Sequence, residues 1–159
     1  MKKMNNKGFS LVELIVVVLI MAIIAVALAP QVMKWVDNSR RSTDEDNYNE
    51  MIANAQVALT DKAAYAAVYD ASNLNTVKYH FVINNDGTKL YAGSGTSSDK
   101  TSDTSDAVQK AMTAVSANWS SIKAKVSLAA GAYYEINLYG DGSDRKNTDH
   151  MPSLNADLS

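Results

Sequence analysis

A glutamate inside a long apolar run is the residue whose position most directly indicates chemistry in this sequence. Glu13 is the one charged residue in the 21-residue run from Phe9 to Ala29. A carboxylate in hydrocarbon costs about 2.5–3.5 kcal/mol at a helix centre by insertion scales, so such an acid indicates a function and requires a cationic partner. As a helix rising about 1.5 Å per residue, the run would span roughly 32 Å and could cross a bilayer.

A short basic segment precedes the apolar run. Met1 to Gly8 reads MKKMNNKG and contains three lysines. Positive charge favours a cytoplasmic location for this segment, which would place everything after Ala29 on the outer side of the membrane. A secretory signal peptide and a plain single-pass anchor are the alternatives. Neither predicts Glu13, and the apolar region of a signal peptide usually has only about 7–15 residues.

The segment Gly8-Phe9-Ser10-Leu11-Val12-Glu13-Leu14 resembles the cleavage and methylation site of type IV prepilins. The resemblance implies that a prepilin peptidase cuts after Gly8 and N-methylates the new amino terminus at Phe9. It also implies that Glu13 pairs with the terminal amine of a neighbouring subunit and sets its register during assembly. Glu13 lies four residues after Phe9, on the same helical face and near the positive helix end.

Pro30 lies where pilins commonly carry a proline, and the resemblance implies a helix that kinks or melts there in the filament. Proline inside a helix removes one backbone hydrogen bond and clashes with the preceding turn. The alternative for Pro30 is a helix stop at the membrane boundary. The resemblance covers only about the first 35 residues, so the remainder must be interpreted from its own pattern.

The sequence predicts an α+β protein with the type IV pilin fold, in which a long N-terminal helix packs by its second half on a small antiparallel sheet. The expected divisions are a leader at 1–8, a transmembrane and filament-core helix at 9–29, and an extracellular head at 30–159. We expect one helix from about Phe9 to Leu59, with an extension to Tyr69 left open. The charged band from Asp37 to Asn47 contains no helix breaker and is expected to face neighbouring subunits or solvent.

The head is expected to alternate strands with turns. The predicted strands are 77–83, 89–91, 122–128 and 132–139, with a hairpin turn at Asn84-Asn85-Asp86-Gly87. A capped helix is expected from Ala107 to Ser121, and polar loops are expected at 93–105 and from Gly140 onward. One small antiparallel sheet follows from this pattern.

Few residues of the head suggest catalysis or metal binding. The absence of cysteine excludes disulfides and thiolate sites, and neither a nucleophile elbow nor a nucleotide-binding glycine loop is present. His80 and His150 are interpreted as structural or surface residues. Asp141, Asp144 and Asp149 are weak calcium candidates, since their spacing does not follow the EF-hand pattern. We therefore expect no enzyme activity and no cofactor.

The charge balance bears on the partners. The three leader lysines belong to a total of 15 basic side chains, so their removal leaves 12 basic against 17 acidic ones. This acidic balance predicts no strong nucleic-acid affinity. The expected partners are the membrane before assembly, the prepilin peptidase, the pilus assembly machinery of the inner or cytoplasmic membrane, and further copies of the chain.

Three functions stay open on the sequence. The first is a structural subunit of a surface pilus for adhesion, motility or aggregation, located in the cytoplasmic membrane as a precursor and then in the extracellular filament. The second is a pseudopilin of a type II secretion or competence DNA-uptake filament. The third is a monomeric, membrane-anchored binding domain, which would not need processing after Gly8.

Overall fold

A computed structural model of the chain describes residues 10–95, 97–128 and 132–146. The chain divides into two compact units, Met1–Asn38 and Ser39–Ser159. Helix α1, Leu11–Ala58, contains 48 residues and provides the described part of the first unit and the beginning of the second. The predicted long helix is therefore confirmed, with bounds close to those expected.

The first half of α1 exposes its apolar side chains. Leu11, Val26 and Trp35 are 74%, 77% and 67% exposed, and the other large apolar residues between them are exposed as well. Among the described residues, α1 is the one helix whose length and composition suffice to cross a membrane. A continuous apolar surface of this size requires a cover, either lipid or other protein.

Helix α1 ends at Ala58, and a separate helix α2, Lys62–Val68, follows. The extension of α1 to Tyr69 is therefore wrong. The carboxylate of Asp61 accepts hydrogen bonds from the backbone N–H groups of Ala63 and Ala64, at 2.9 and 3.0 Å. An N-capping aspartate begins a new helix, because its side chain satisfies amides that have no partner in the first turn.

Four strands form an antiparallel sheet within the described residues, in the order β2-β1-β3-β4. They are β1 Val77–Ile83, β2 Thr88–Ala92, β3 Tyr134–Tyr139 and β4 Asp144–Lys146. The predicted hairpin is confirmed, and Asn84 Oδ1 closes its turn by accepting from Asp86 N and Gly87 N. In the register of the sheet, Phe81 lies between Leu90 and Ile136.

The core of the second unit lies between α1 and the inner face of the sheet. Tyr48, Met51, Ala55 and Ala58 of α1 are buried in one cluster with apolar residues of β1, β2, β3 and α3. Helix α3 covers Ala107–Val115, and Asp106 caps its first turn. It is shorter than predicted, because Trp119 begins a separate 3₁₀ helix, Trp119–Ser121. There Trp119 packs edge-on against Phe81 with 5.8 Å between ring centroids.

Two predictions for the second half of the chain are wrong. Residues 122–128 form no strand, since their backbone groups bond to side chains and to the carbonyls of Trp119 and Asn84 instead of to a neighbouring strand. The region after Gly140 is not simply a loose loop, because β4 pairs with β3. Residues 147–159 lie outside the described part of the chain.

The turn between β3 and β4 is held by the loop that follows α2. Gly140 accepts from Asp70 N at 2.8 Å and donates to Thr76 O at 3.0 Å, and Asp141 N donates to Leu74 O at 3.1 Å. A Cβ atom at Gly140 would collide with the carbonyl oxygen of Asn73. Glycine is therefore required at this position by the close approach of two backbones.

We predict that Gly140→Ala lowers the free energy of unfolding by about 1–3 kcal/mol, because a backbone carbonyl must shift to admit the methyl group. Gly95→Ala is the matched control, since a Cβ atom added at Gly95 would have only Ser97 Oγ within 4.0 Å. Thermal unfolding of the detergent-solubilised full chain measures both variants. Equal melting temperatures for the two variants would contradict the close approach.

Candidate functional site

The first turn of α1 places Glu13 where the sequence predicts an assembly residue. Ser10 precedes the helix, its carbonyl accepts from Leu14 N at 3.2 Å, and its own N–H donates to Glu13 Oε2 at 2.9 Å. This is the reciprocal half of a capping box, in which the third helical residue satisfies the amide of the capping residue. Gly8 and Phe9, the predicted cleavage and methylation positions, lie outside the described residues.

The surroundings of Glu13 are apolar. Val12, Val16 and Val17 line the same small surface depression as Glu13, and all four side chains are exposed. The carboxylate also lies at the helix end that favours negative charge. An exposed acid within an apolar surface is positioned to meet a cation once that surface is covered.

Pro30 lies inside α1, and the helix is continuous on both sides of it. Since proline has no backbone N–H, the carbonyl of Val26 receives no hydrogen bond from the residue four positions later. The helix therefore lacks one backbone hydrogen bond at this position. A kink or a melted turn at Pro30 in an assembled state stays a prediction.

The charged band of α1 differs from its prediction at one residue. Asp44 is only 1% exposed, whereas Asp46, two positions later, is exposed. The Asp44 carboxylate accepts from the backbone N–H groups of Lys125 and Val126, the latter at 3.0 Å, and from the Tyr134 hydroxyl at 3.2 Å. Asp44 therefore belongs to the core of the second unit and faces neither solvent nor neighbours.

The segment 122–128 is held by side chains in place of a strand partner. Asn85 Nδ2 donates to Val126 O at 2.7 Å, and Leu128 N donates to Asn85 Oδ1 at 3.0 Å. One amide that bonds the carbonyl of one residue and the N–H two residues later reproduces the pattern of a parallel ladder. Thr88 and Asn47 add bonds to the carbonyls of Ile122 and Lys123, at 2.8 and 3.2 Å.

This arrangement explains why the segment resembles a strand in sequence. Its exposure alternates, with Ala124 buried and Lys123 and Lys125 exposed. The backbone bends at Lys125 and Val126, and the hydrogen bonds that a neighbouring strand would provide come from Asp44 and Asn85. Sequence reasoning missed both residues. The available signal for Asp44 was its position four residues before Tyr48 and seven before Met51, on the apolar stripe.

The Asp44 contact also affects a tyrosine. Burial raises the pKa of Tyr134 to about 12, and the negative charge and hydrogen bond of Asp44 add to the increase. Burial likewise raises the pKa of Tyr79, whose hydroxyl donates to Asp106 Oδ2 at 2.9 Å. Both hydroxyls are held protonated as hydrogen-bond donors at neutral pH.

The calcium candidates are only partly covered by the structure. Asp141 Oδ1 accepts from Ser143 N at 2.9 Å within the β3–β4 turn, while the Asp144 side chain and Asp149 lie outside the described residues. No group of three or more possible metal-ligating side chains occurs in the described ranges. The calcium site stays an untested prediction.

His80 has a structural environment. It is 2% exposed, its Nδ1 lies 2.7 Å from the carbonyl oxygen of Gly93, and its ring stacks on Tyr91 with 5.2 Å between centroids. No carboxylate or hydroxyl nucleophile is among these contacts. The histidine therefore fixes the start of the loop after β2, while His150 lies outside the described residues.

Comparison with known proteins gives one match. Residues 3–29 match the family model described as the prokaryotic N-terminal methylation motif, which is the signature of type IV prepilins. No curated protein and no solved structure matches the chain significantly. The match covers the segment that contains Gly8, Phe9 and Glu13 and does not extend into the second unit.

We predict that Asp44→Ala lowers the free energy of unfolding by about 2–4 kcal/mol, because two backbone N–H groups and a hydroxyl lose their acceptor. Asp46→Ala is the matched control, since the same residue type is removed from an exposed position of the same helix. Its effect should stay within about 0.5 kcal/mol. Thermal unfolding of the full chain compares the two, and similar losses would contradict the role assigned to Asp44.

We predict that stability falls at alkaline pH partly through Tyr134. Its pKa is 10.0 in an ordinary environment and about 12 in the folded chain, so folding favours the protonated hydroxyl. The resulting stabilisation is complete below pH 10 and is lost as the pH rises from 10 to 12. Tyr134→Phe should unfold with a shallower pH dependence across this interval. Identical slopes for the variant and the parent would contradict the assignment.

Proposed function

We propose that this chain, which carries the N-terminal methylation motif of type IV prepilins, is a structural subunit of a type IV pilus. The motif points to a pilin-like or pseudopilin-like structural protein. The observation that carries the proposal is the motif with Glu13 at the start of an exposed apolar helix. The pilus would serve adhesion, surface motility or aggregation.

Processing divides the chain in this proposal. The leader at 1–8 is removed by the prepilin peptidase, residues 9–29 anchor the precursor in the cytoplasmic membrane, and residues 30–159 face outward. The motif implies peptidase processing and filament assembly in general, and an anchored precursor agrees with the length and composition of α1. Phe9 is the methylated amino terminus, and the assembly machinery transfers the subunit into the surface filament.

The exposed half of α1 supports packing between subunits. Its apolar side chains have no cover within the described chain, and in a filament the same residues of other subunits provide one. The cost of moving Glu13 through an apolar medium is offset when the carboxylate meets the cationic amine of Phe9 on a neighbouring subunit. This pairing fixes the axial position of each new subunit.

The runner-up function is a pseudopilin of a secretion or DNA-uptake filament. The acidic balance of the processed chain favours the surface pilus over a DNA-capturing subunit. Filament length separates the two readily, because a surface pilus extends well beyond the cell while a pseudopilus does not. Electron microscopy of cells labelled for this chain provides the measurement.

We predict that Glu13→Ala leaves leader removal intact but lowers the yield of surface filaments by about tenfold or more, since the terminal amine loses its partner in a low-dielectric core. Sheared filaments and membrane fractions are quantified separately. Glu13→Asp retains the charge and should restore part of the yield. Normal filaments from Glu13→Ala would contradict the pairing role.

Gly8→Ala controls for processing in the same experiment. It should accumulate the uncleaved precursor in the membrane, whereas Glu13→Ala should accumulate the mature chain. Intact mass distinguishes the two pools, so a loss of filaments by failed cleavage cannot be confused with a loss by failed assembly.

A further inference from the structure

The uncharged part of α1 is displaced along the chain from the apolar run at 9–29. The first charged residue after Glu13 is Lys34, so the 20 residues from Leu14 to Met33 carry no charge. All of them belong to α1, which continues through Pro30. At about 1.5 Å per residue this stretch is about 30 Å long, which matches the hydrocarbon core of a typical bilayer.

Apolar side chains continue beyond Pro30. Four of them are exposed on the next two turns of α1, at Val32, Met33, Trp35 and Val36. They follow directly on the apolar run that crosses the membrane in the proposed precursor. Because the exposed apolar surface is continuous, the lipid that covers the run also provides the cover for these residues.

Lys34 and Trp35 are of the residue types that proteins place at a membrane surface. Tryptophan is enriched there because its ring is apolar and its N–H is polar. Lysine can lay its aliphatic stem along an apolar surface and keep its ammonium among the headgroups. Both side chains are exposed. The amide of Gln31 lies about 5 Å before Lys34 along the helix axis, close enough to reach the same headgroups.

Glu13 marks the other end of the uncharged stretch. A membrane segment of 9–29 would place its carboxylate about 6 Å inside the hydrocarbon, whereas a segment of 14–33 leaves it at the boundary. The second segment leaves Leu11 and Val12 outside the hydrocarbon. The cost of inserting one charged residue is several times the gain from inserting one apolar residue, so the charge determines the position of the helix.

We infer that Lys34 and Trp35 lie in the headgroup region of the bilayer, that residues 14–33 cross its hydrocarbon core, and that Glu13 lies at the opposite boundary. The inference rests on the membrane-anchored precursor of the proposed function and moves its membrane segment from 9–29 to 14–33. Glu13 then lies beside headgroups and water in the precursor. It needs a cationic partner only when the subunit leaves the membrane.

Tryptophan fluorescence in vesicles measures the depth of the helix. The full-length chain is reconstituted in phosphatidylcholine vesicles whose acyl chains carry bromine, a quencher, either near the headgroup or near the bilayer centre. The chain contains two tryptophans, and Trp119 is 2% exposed in the core of the second unit. Trp35→Phe gives the signal of Trp119 alone, so the difference from the parent isolates Trp35 and leaves that core unchanged.

The two membrane segments predict different depths. With 14–33, Trp35 lies about 17 Å and Leu28 about 7 Å from the bilayer centre, whereas 9–29 places them at about 24 and 14 Å. Leu28→Trp combined with Trp35→Phe reports the inner position. We expect stronger quenching of Trp35 by the shallow bromine and of the Leu28→Trp variant by the deep bromine, with about 10 Å between their depths.

Val12→Trp combined with Trp35→Phe is the matched reporter beside Glu13. It should be quenched more strongly by the shallow bromine, because Val12 lies about 17 Å from the centre of the inferred segment, on its other side. A segment of 9–29 would place Val12 only about 11 Å from the centre. Flotation with the vesicles shows that each variant is bound to the membrane.

Four results would overturn the inference. Trp35 beyond the reach of both bromines would lie in water, and Trp35 quenched mainly by the deep bromine would lie inside the hydrocarbon. Shallow quenching of the Leu28→Trp variant, or deep quenching of the Val12→Trp variant, would favour 9–29. All four are compatible with methylated Phe9 and a requirement for Glu13, so the proposed function would stand. A parent chain that does not float would overturn the inference and the anchored precursor together.

Discussion

An apolar helix half that has no core of its own is the constraint on which the rest of this protein depends. Side chains from Leu11 to Val36 are exposed along the first part of α1, and water is a poor solvent for a surface of this kind. In the function that we propose, lipid covers this surface in the precursor and other subunits cover it in the filament. We propose that Glu13 gives this otherwise uniform surface a defined axial position, because a carboxylate in an apolar medium is satisfied only where a cation meets it.

The second half of α1 differs from the first, since one of its faces is exposed and the other is buried in the core of the second unit. Tyr48, Met51 and Ala55 pack on the sheet, while the Asp44 carboxylate accepts hydrogen bonds from a segment that has no strand partner. The side-chain amide of Asn85 adds hydrogen bonds to the Val126 carbonyl and the Leu128 N–H of the same segment. The side chains of Asp44 and Asn85 thus fix the segment 122–128 beside the helix.

Much of this architecture could be predicted from sequence because its signals are local. The length of α1, the hairpin at Asn84 to Gly87 and strand β1 follow from apolar periodicity and turn residues. The segment 122–128 was wrongly predicted as a strand, since an alternation of apolar and polar residues does not report which groups form hydrogen bonds with its backbone. The break at Asp61 depends on a helix cap that competes with continuation of α1. The burial of Asp44 depends on contacts with residues far away in the sequence. The position of Glu13 in the first turn of α1 could be predicted from residue type and position, and its role in assembly stays a prediction. The contacts of Asp44 and Asn85 with residues 122–128 could not be predicted, because these residues meet only in the folded chain.

The amino terminus of the chain recovered from the cell surface tests the central claim most directly. Filaments are sheared from cells, and the intact mass and the N-terminal peptide are determined by mass spectrometry. We predict a chain that begins at Phe9 with a methylated amine, in filaments that contain this chain as a subunit. A chain that retains Met1 would carry its terminal amine far from Phe9, and one that is cleaved near Ala29 would lack Glu13 altogether, so either result would contradict the account.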